Sequence, residues 1–285
     1  MKYIFFGTPE FAEIILKKLI DSDIPPEALV CNPDRPVGRK KIITPPPTKS
    51  LILKHETWNI KILQPEKLDD SFKFQVSSFK PDFAIVVAYA KIIPKEILEI
   101  FPQGAIGIHP SLLPKYRGPS PIQQTILNGD EETGVTIYLL DEKVDHGPIV
   151  SSDKCQVTGD DTYKTLEKKL AELGGKLLLE TLPRFIKGKI RPRPQDENQA
   201  VYTKKFASED AFVTPGDLGS AERAGGEAAQ KIERKIRALN PEPGVWTTKD
   251  KKRLKLLEAR IEGGKLQITK WQTEGQKPKF TKLET

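Results

Sequence analysis

An α/β fold is predicted, with a doubly wound, Rossmann-like parallel sheet leading and a small β-rich module following. Three observations predict it. Short apolar runs alternate with amphipathic stretches through the first half of the 285 residues, the pattern that builds a parallel sheet with helices on both faces. The run Phe83-Ala84-Ile85-Val86-Val87-Ala88 is apolar without alternation, as a strand buried on both sides must be. Beyond Asn240-Pro241 the pattern shifts to short strands around Gly263-Gly264, a turn signal.

The elements follow in order. Tyr3–Phe6 reads as a strand and Gly7-Thr8-Pro9 as a turn. Phe11, Ile14, Ile15 and Leu19 then repeat at helical spacing. Ala28–Cys31, Ile60–Leu63, Phe83–Ala88 and Ala105–Ile108 read as further strands. Helices are expected over Lys49–His55, Asp70–Ser78 and Lys95–Ile100. Thr133–Leu140 is β-branched and apolar, a later strand, and Thr162–Leu182 has the spacing of a long helix. Residues 187–203 carry Pro192 and Pro194 and few large apolar side chains, which marks a linker. Residues 217–240 read as helical, and Arg253–Ala259 and Leu266–Trp271 as strands. The expected division is a first domain over 1–186, a linker over 187–203 and a second domain over 204–285.

Composition narrows the function. With 37% hydrophobic and 30% charged residues the chain is ordinary for a soluble globular protein. Its longest apolar run, Phe83–Ala90, is far below the ~20 residues that span a membrane, and the N-terminal stretch lacks the form of a signal peptide. Cys31 and Cys155 form no CxxC pair, and His55, His109 and His146 fall in no HxxxH pattern. A cytoplasmic protein without a metal is expected. The first turn has a single glycine, so it lacks the G-x-G-x-x-G of a dinucleotide site, and no P-loop is present. Residues 191–285 hold 20 Lys+Arg against 14 Asp+Glu, which is most of the net charge of +7. A basic module on a near-neutral body suits a polyanion partner; a lysine-rich soluble surface is the plainer reading.

Open α/β sheets bind ligands outside the carboxyl ends of their strands. Three loops fall there and stand out. Asn32–Lys49 is long for a βα loop, where ~2–6 residues is usual. It is stiffened by five prolines and carries Arg35, Arg39, Lys40, Lys41 and Lys49. His109–Pro121 packs a histidine among prolines, which fix the backbone around it. Leu140–Pro148 carries Asp145, either a turn residue or the carboxylate that orients His109. Spacing alone leaves that choice open, and the role of His146 with it.

The stretches FFGTPEFA (5–12), NPDRPVGR (32–39), VVAYAKIIP (86–94), HPSLLPKYRGPSPIQ (109–123), ETGVTIYLLDEKVDHGPI (132–149), PQDENQAVYTKK (194–205) and IRALNPEPGVWT (236–247) run through the chain. On these the sequence resembles the methionyl-tRNA formyltransferase family. The resemblance implies transfer of a formyl group from 10-formyltetrahydrofolate to the α-amine of initiator methionyl-tRNA, in the cytoplasm, by a monomer without a metal. It implies an OB-like second domain that binds tRNA, abridged here because fewer strands follow GVWT than the family carries. It implies catalytic roles for His109 and Asp145 and a folate site at Ser111, Leu112, Leu113 and Pro114. Tyr89, Ile92, Ile93 and Pro94 are implied to flank the pterin, and Arg35, Arg39, Lys40 and Lys41 to meet the tRNA. One departure matters: Gly107 stands where the family has an asparagine whose amide is implied to donate to the oxyanion. Losing one such donor typically costs ~10²–10³ in rate. Two alternatives accompany the enzyme reading: a catalytically impaired tRNA- or folate-binding protein, which Gly107 favours, and an amino-sugar N-formyltransferase, which shares the histidine–aspartate core.

Overall fold

The computed structural model describes residues 2–38 and 40–281. In chain order the elements are β1 (Tyr3–Gly7), α1 (Glu10–Asp21), β2 (Ala28–Val30), β3 (Arg35–Val37), β4 (Ile42–Thr44), α2 (Pro47–Leu53), β5 (Lys61–Leu63), α3 (Asp70–Ser78), β6 (Phe83–Val87), α4 (Lys95–Leu98) and β7 (Ala105–His109). There follow α5 (Pro121–Asn128), β8 (Glu132–Leu139), β9 (Ile149–Gln156), α6 (Tyr163–Ile186), α7 (Pro215–Arg223), α8 (Gly226–Leu239), β10 (Trp246–Lys249), β11 (Lys252–Glu262), β12 (Lys265–Thr273) and β13 (Lys279–Phe280). The chain forms two compact units. The first comprises 1–117, 133–155 and 167–202, the second 118–132, 156–166 and 203–285.

The first unit is built on a seven-stranded sheet ordered β5-β2-β1-β6-β7-β8-β9. β1 pairs in parallel with both β2 and β6, so the strand order reverses there, which is the switch point where such sheets bind ligands. Alternation sorts the side chains of β1 between two faces. Ile4 and Phe6 join Phe72 and Val76 of α3 and Ile97 of α4 in one core. Tyr3 points to the other face, stacks on Phe83 at 5.3 Å and donates through its hydroxyl to the Ile24 carbonyl. Asp69 caps α3 by accepting from the Phe72 amide. Gly174 of α6 lies against the sheet; a Cβ there would meet Ile108, Val135 and Ile15 at 3.3–3.5 Å.

Four features depart from the expected pattern. The sheet is mixed, since β8 runs antiparallel to β7: the connection that carries α5 returns the chain beside the strand it left, in the opposite direction. The loop 32–48 contains the β3–β4 hairpin, whose side chains are exposed. β9 is a strand that its polar stretch Ser151-Ser152-Asp153-Lys154 disguised. The helical stretch 217–240 is two helices, broken where Gly225 and Gly226 take positive φ.

In the second unit α7 and α8 pack on an antiparallel sheet ordered β10-β11-β12-β13. The buried stripe Ala229, Ile232, Ile236 and Leu239 of α8 follows helical spacing. The β11–β12 hairpin turns through Gly263 and Gly264, with φ of 55° and 77°. Two consecutive left-handed residues are what the tight two-residue turn requires.

Candidate active site

His109 is the last residue of β7, buried, and opposite Thr136 of β8. Its Nε2 donates to the Tyr116 carbonyl at 2.9 Å. A carbonyl only accepts, so Nε2 carries the hydrogen and Nδ1 is the basic nitrogen. That nitrogen lies 3.5 Å from Asp145 Oδ2. Both backbones are shaped for this: Tyr116 and Asp145 hold positive φ, 62° and 49°, a conformation that costs energy outside glycine and clusters at functional sites.

Asp145 is held at both ends. The Tyr138 hydroxyl donates to its Oδ1 at 2.6 Å. Gln195 Nε2 donates to its carbonyl at 2.9 Å and to that of Gly147 at 2.7 Å. Gln195 is fixed in turn by Arg117, which is fully buried. The guanidinium donates twice to Gln195 Oε1, to both carboxylate oxygens of Glu197 and to the Tyr202 hydroxyl. Hydrogen bonds from Arg117 hold the Glu197 carboxyl below the usual range. Burial, and then the Asp145 charge, pushes the Tyr138 phenol well above its ordinary value. His146 donates through Nδ1 to Asp141 at 2.5 Å, with Nε2 3.5 Å from Glu197, so it fastens the turn beside Asp145.

The loop after His109 is pinned to β8. Thr136 Oγ1 donates to the Ser111 carbonyl at 2.7 Å and accepts from the Leu113 amide at 3.0 Å. Ser111 spends its hydroxyl on the Lys115 carbonyl. Leu112 lies against Gly134, and Leu113 is buried beside a cis bond to Pro114. The neighbouring loop places Tyr89 edge-on to Phe6 with Ile93 in the same core, leaves Ile92 exposed, and sets Pro94 at the start of α4. Tyr89 Oη and Asn32 Oδ1 are buried with no partner among the described residues, and burial pushes the Tyr89 phenol up to about 12. Gly107 supplies no side chain, and the volume its Cβ would need is filled by the Tyr138 ring.

The basic hairpin is open to solvent. Arg35, Lys40 and Lys41 are exposed, as are Val37, Ile42 and Ile43; Arg39 lies outside the described residues. Lys49 is drawn off by Asp34 and Gln64 at 2.7–2.9 Å. In the second unit a groove of about 1100 Å³ is lined by Lys164, Arg234, Arg237, Lys255, Arg260 and Lys270, among others. Several of these cations are already paired, Arg237 with Glu233 and Lys270 with Glu258. Among the described residues no His/Cys/Asp/Glu group could hold a metal ion, and no helix is long and apolar enough to cross a membrane.

Thr136, Tyr138, Arg117 and Gln195 support this geometry and were not singled out in the sequence. Each acts across the fold, and only the register Gly107↔Tyr138 would have exposed the second of them.

Residues 1–182 match the formyl transferase family and residues 226–276 its C-terminal domain. The methionyl-tRNA formyltransferase of Kosmotoga olearia is 39% identical over 92% of this chain and 80% of its own length. That of Dictyoglomus thermophilum is 42% identical over 92% and 80%. Among solved structures, HypX from Aquifex aeolicus in complex with tetrahydrofolic acid superposes with a TM-score of 0.65 at 17% identity, over 98% of this chain and 45% of that one.

Proposed function

The chain belongs to the methionyl-tRNA formyltransferase branch of the formyl transferase family, and we propose that it moves a formyl group from 10-formyltetrahydrofolate to the α-amine of initiator methionyl-tRNA in the cytoplasm. The observation that carries the reading is the His109–Asp145 pair at the carboxyl end of β7, in a chain about 40% identical to enzymes of that name.

The reaction needs no redox step. The amine nitrogen attacks the formyl carbon and builds a tetrahedral oxyanion. His109 Nδ1 accepts the proton that the amine sheds, and Asp145 stabilises the resulting imidazolium. The C–N10 bond then breaks, N10 takes the proton, and tetrahydrofolate leaves with formylmethionyl-tRNA as the other product. Tyr116 keeps Nε2 engaged, so Nδ1, beside Asp145, is the nitrogen left to take the proton. On this reading Ser111, Leu112, Leu113 and Pro114 line the folate site, and Tyr89, Ile92, Ile93 and Pro94 flank the pterin. The unpartnered Tyr89 Oη and Asn32 Oδ1, buried at the ends of β6 and β2, suit a ligand rich in donors and acceptors. The hairpin cations Arg35, Lys40 and Lys41, with Arg39 between them in sequence, and the basic groove of the second unit suit a phosphate backbone.

The test is substrate choice. The chain should formylate methionyl-initiator tRNA, with an affinity for tRNA that falls steeply with salt. Formylation of an amino-sugar nucleotide in preference to the charged tRNA would refute the reading.

A further inference from the structure

Gly107 and Tyr138 are Cα partners across β7 and β8. A Cβ built on Gly107 would lie 2.4 Å and 2.6 Å from two carbons of the Tyr138 ring and 2.7 Å from Leu140 Cδ1. Real Cβ contacts do not come that close, so the ring occupies the side-chain volume of position 107. From that notch the phenol reaches across the turn after β8 to Asp145 Oδ1 at 2.6 Å. Asp145 Oδ2 is the oxygen facing His109 Nδ1. One carboxylate oxygen therefore accepts from Tyr138 while the other faces His109, and fixing one fixes the plane of the other.

We propose that Tyr138 is a positioning residue: it turns Asp145 toward His109, and position 107 is glycine so that the ring can lie where it does. The proposal rests on the reading of His109 and Asp145 as the reacting pair. Tyr138 is buried, and a buried donor left without an acceptor costs more than the bond gains. Tyrosine contributes a rigid ring with a single polar tip, so its reach is set by the ring's seat. That seat is the Gly107 notch. A phenylalanine would keep the packing and lose only the donor.

Tyr138→Phe separates positioning from packing. The expected result is a single-turnover rate lower by about 10- to 100-fold, the range one charge-assisted hydrogen bond spans. KM for both substrates should stay within about twofold, because no substrate contact is lost. A merely structural tyrosine would leave the rate unchanged and overturn the proposal. Gly107→Ala tests the notch: its methyl group should push the ring out and slow turnover alongside Tyr138→Phe. In a Tyr138→Leu background, where the ring is gone, the same alanine should add little. Equal losses in both backgrounds would overturn the notch. A crystal structure of Tyr138→Phe gives a readout free of activity. The Asp145 carboxylate should rotate and its distance to His109 Nδ1 should grow; an unmoved carboxylate would contradict the proposal. If the unaltered chain fails to formylate tRNA, the functional reading fails, and the carboxylate's position still decides the role of Tyr138.

Discussion

Replacing Arg117 by methionine removes the hub behind Asp145 while keeping most of its volume. The fully buried guanidinium donates to Gln195, Glu197 and Tyr202. Breaking a buried charged network by removing one partner usually costs several kcal/mol. Glu197 is 56% exposed at its side chain and will rehydrate, so its share is small. Tyr202 is 61% exposed and rehydrates likewise; the half-buried Gln195 remains, and a hydrogen bond to a charged donor is worth ~1.5–3 kcal/mol. A net loss of about 2–3 kcal/mol follows. For a chain of this size that lowers Tm by roughly 5–10 °C. Gln195 also carries the Asp145 and Gly147 carbonyls, so the turn loosens and kcat should fall about tenfold with KM little changed. Urea denaturation and single-turnover formylation read the two effects separately. A variant within about 0.5 kcal/mol of the parent, with unchanged kcat, would refute the claim that Arg117 organises the site.

Two other outcomes are expected. Gly107→Asn alone should fail to raise turnover and should destabilise the chain by about 1–3 kcal/mol, the usual cost of overpacking, since its Cβ meets the Tyr138 ring at 2.4 Å; faster turnover with stability intact would show that the ring yields. Burial raises the phenols of Tyr3, Tyr89 and Tyr138, whereas unfolded tyrosines ionise near pH ~10. Their contribution is therefore whole below that pH and is lost as pH rises past it toward the folded values, so urea stability should stay level up to about pH 9 and drop between about pH 10 and 12; a flat or rising profile in that window would contradict the burial of these hydroxyls.

Local signals made much of the fold legible. The unbroken apolar run at Phe83 marked β6 as central, helical spacing marked α1, and paired glycines marked the β11–β12 turn. β9 escaped because Ser151 to Lys154 carry no apolar face, and β3–β4 because its prolines read as a stiff loop. The antiparallel entry of β8 depends on where the chain re-enters the sheet, which periodicity does not encode. His109 and Asp145 were legible as candidates because prolines and a turn frame them at strand ends. Their supports were not. Arg117 and Gln195 lie 78 positions apart, and Tyr138 gains its meaning only from the register that sets it against Gly107. That register also changes how the glycine reads: position 107 lacks a side-chain donor because a neighbouring strand has claimed the space.

The most direct measurement is single-turnover formylation of methionyl-initiator tRNA by 10-formyltetrahydrofolate, with the unaltered chain beside His109→Ala, and tRNA binding followed in both. The account predicts formylation by the unaltered chain despite Gly107, a rate lower by ~10²–10⁴ in the variant, and equal tRNA affinity. Formylation undiminished in His109→Ala, or none by the unaltered chain while it still binds tRNA, would contradict it.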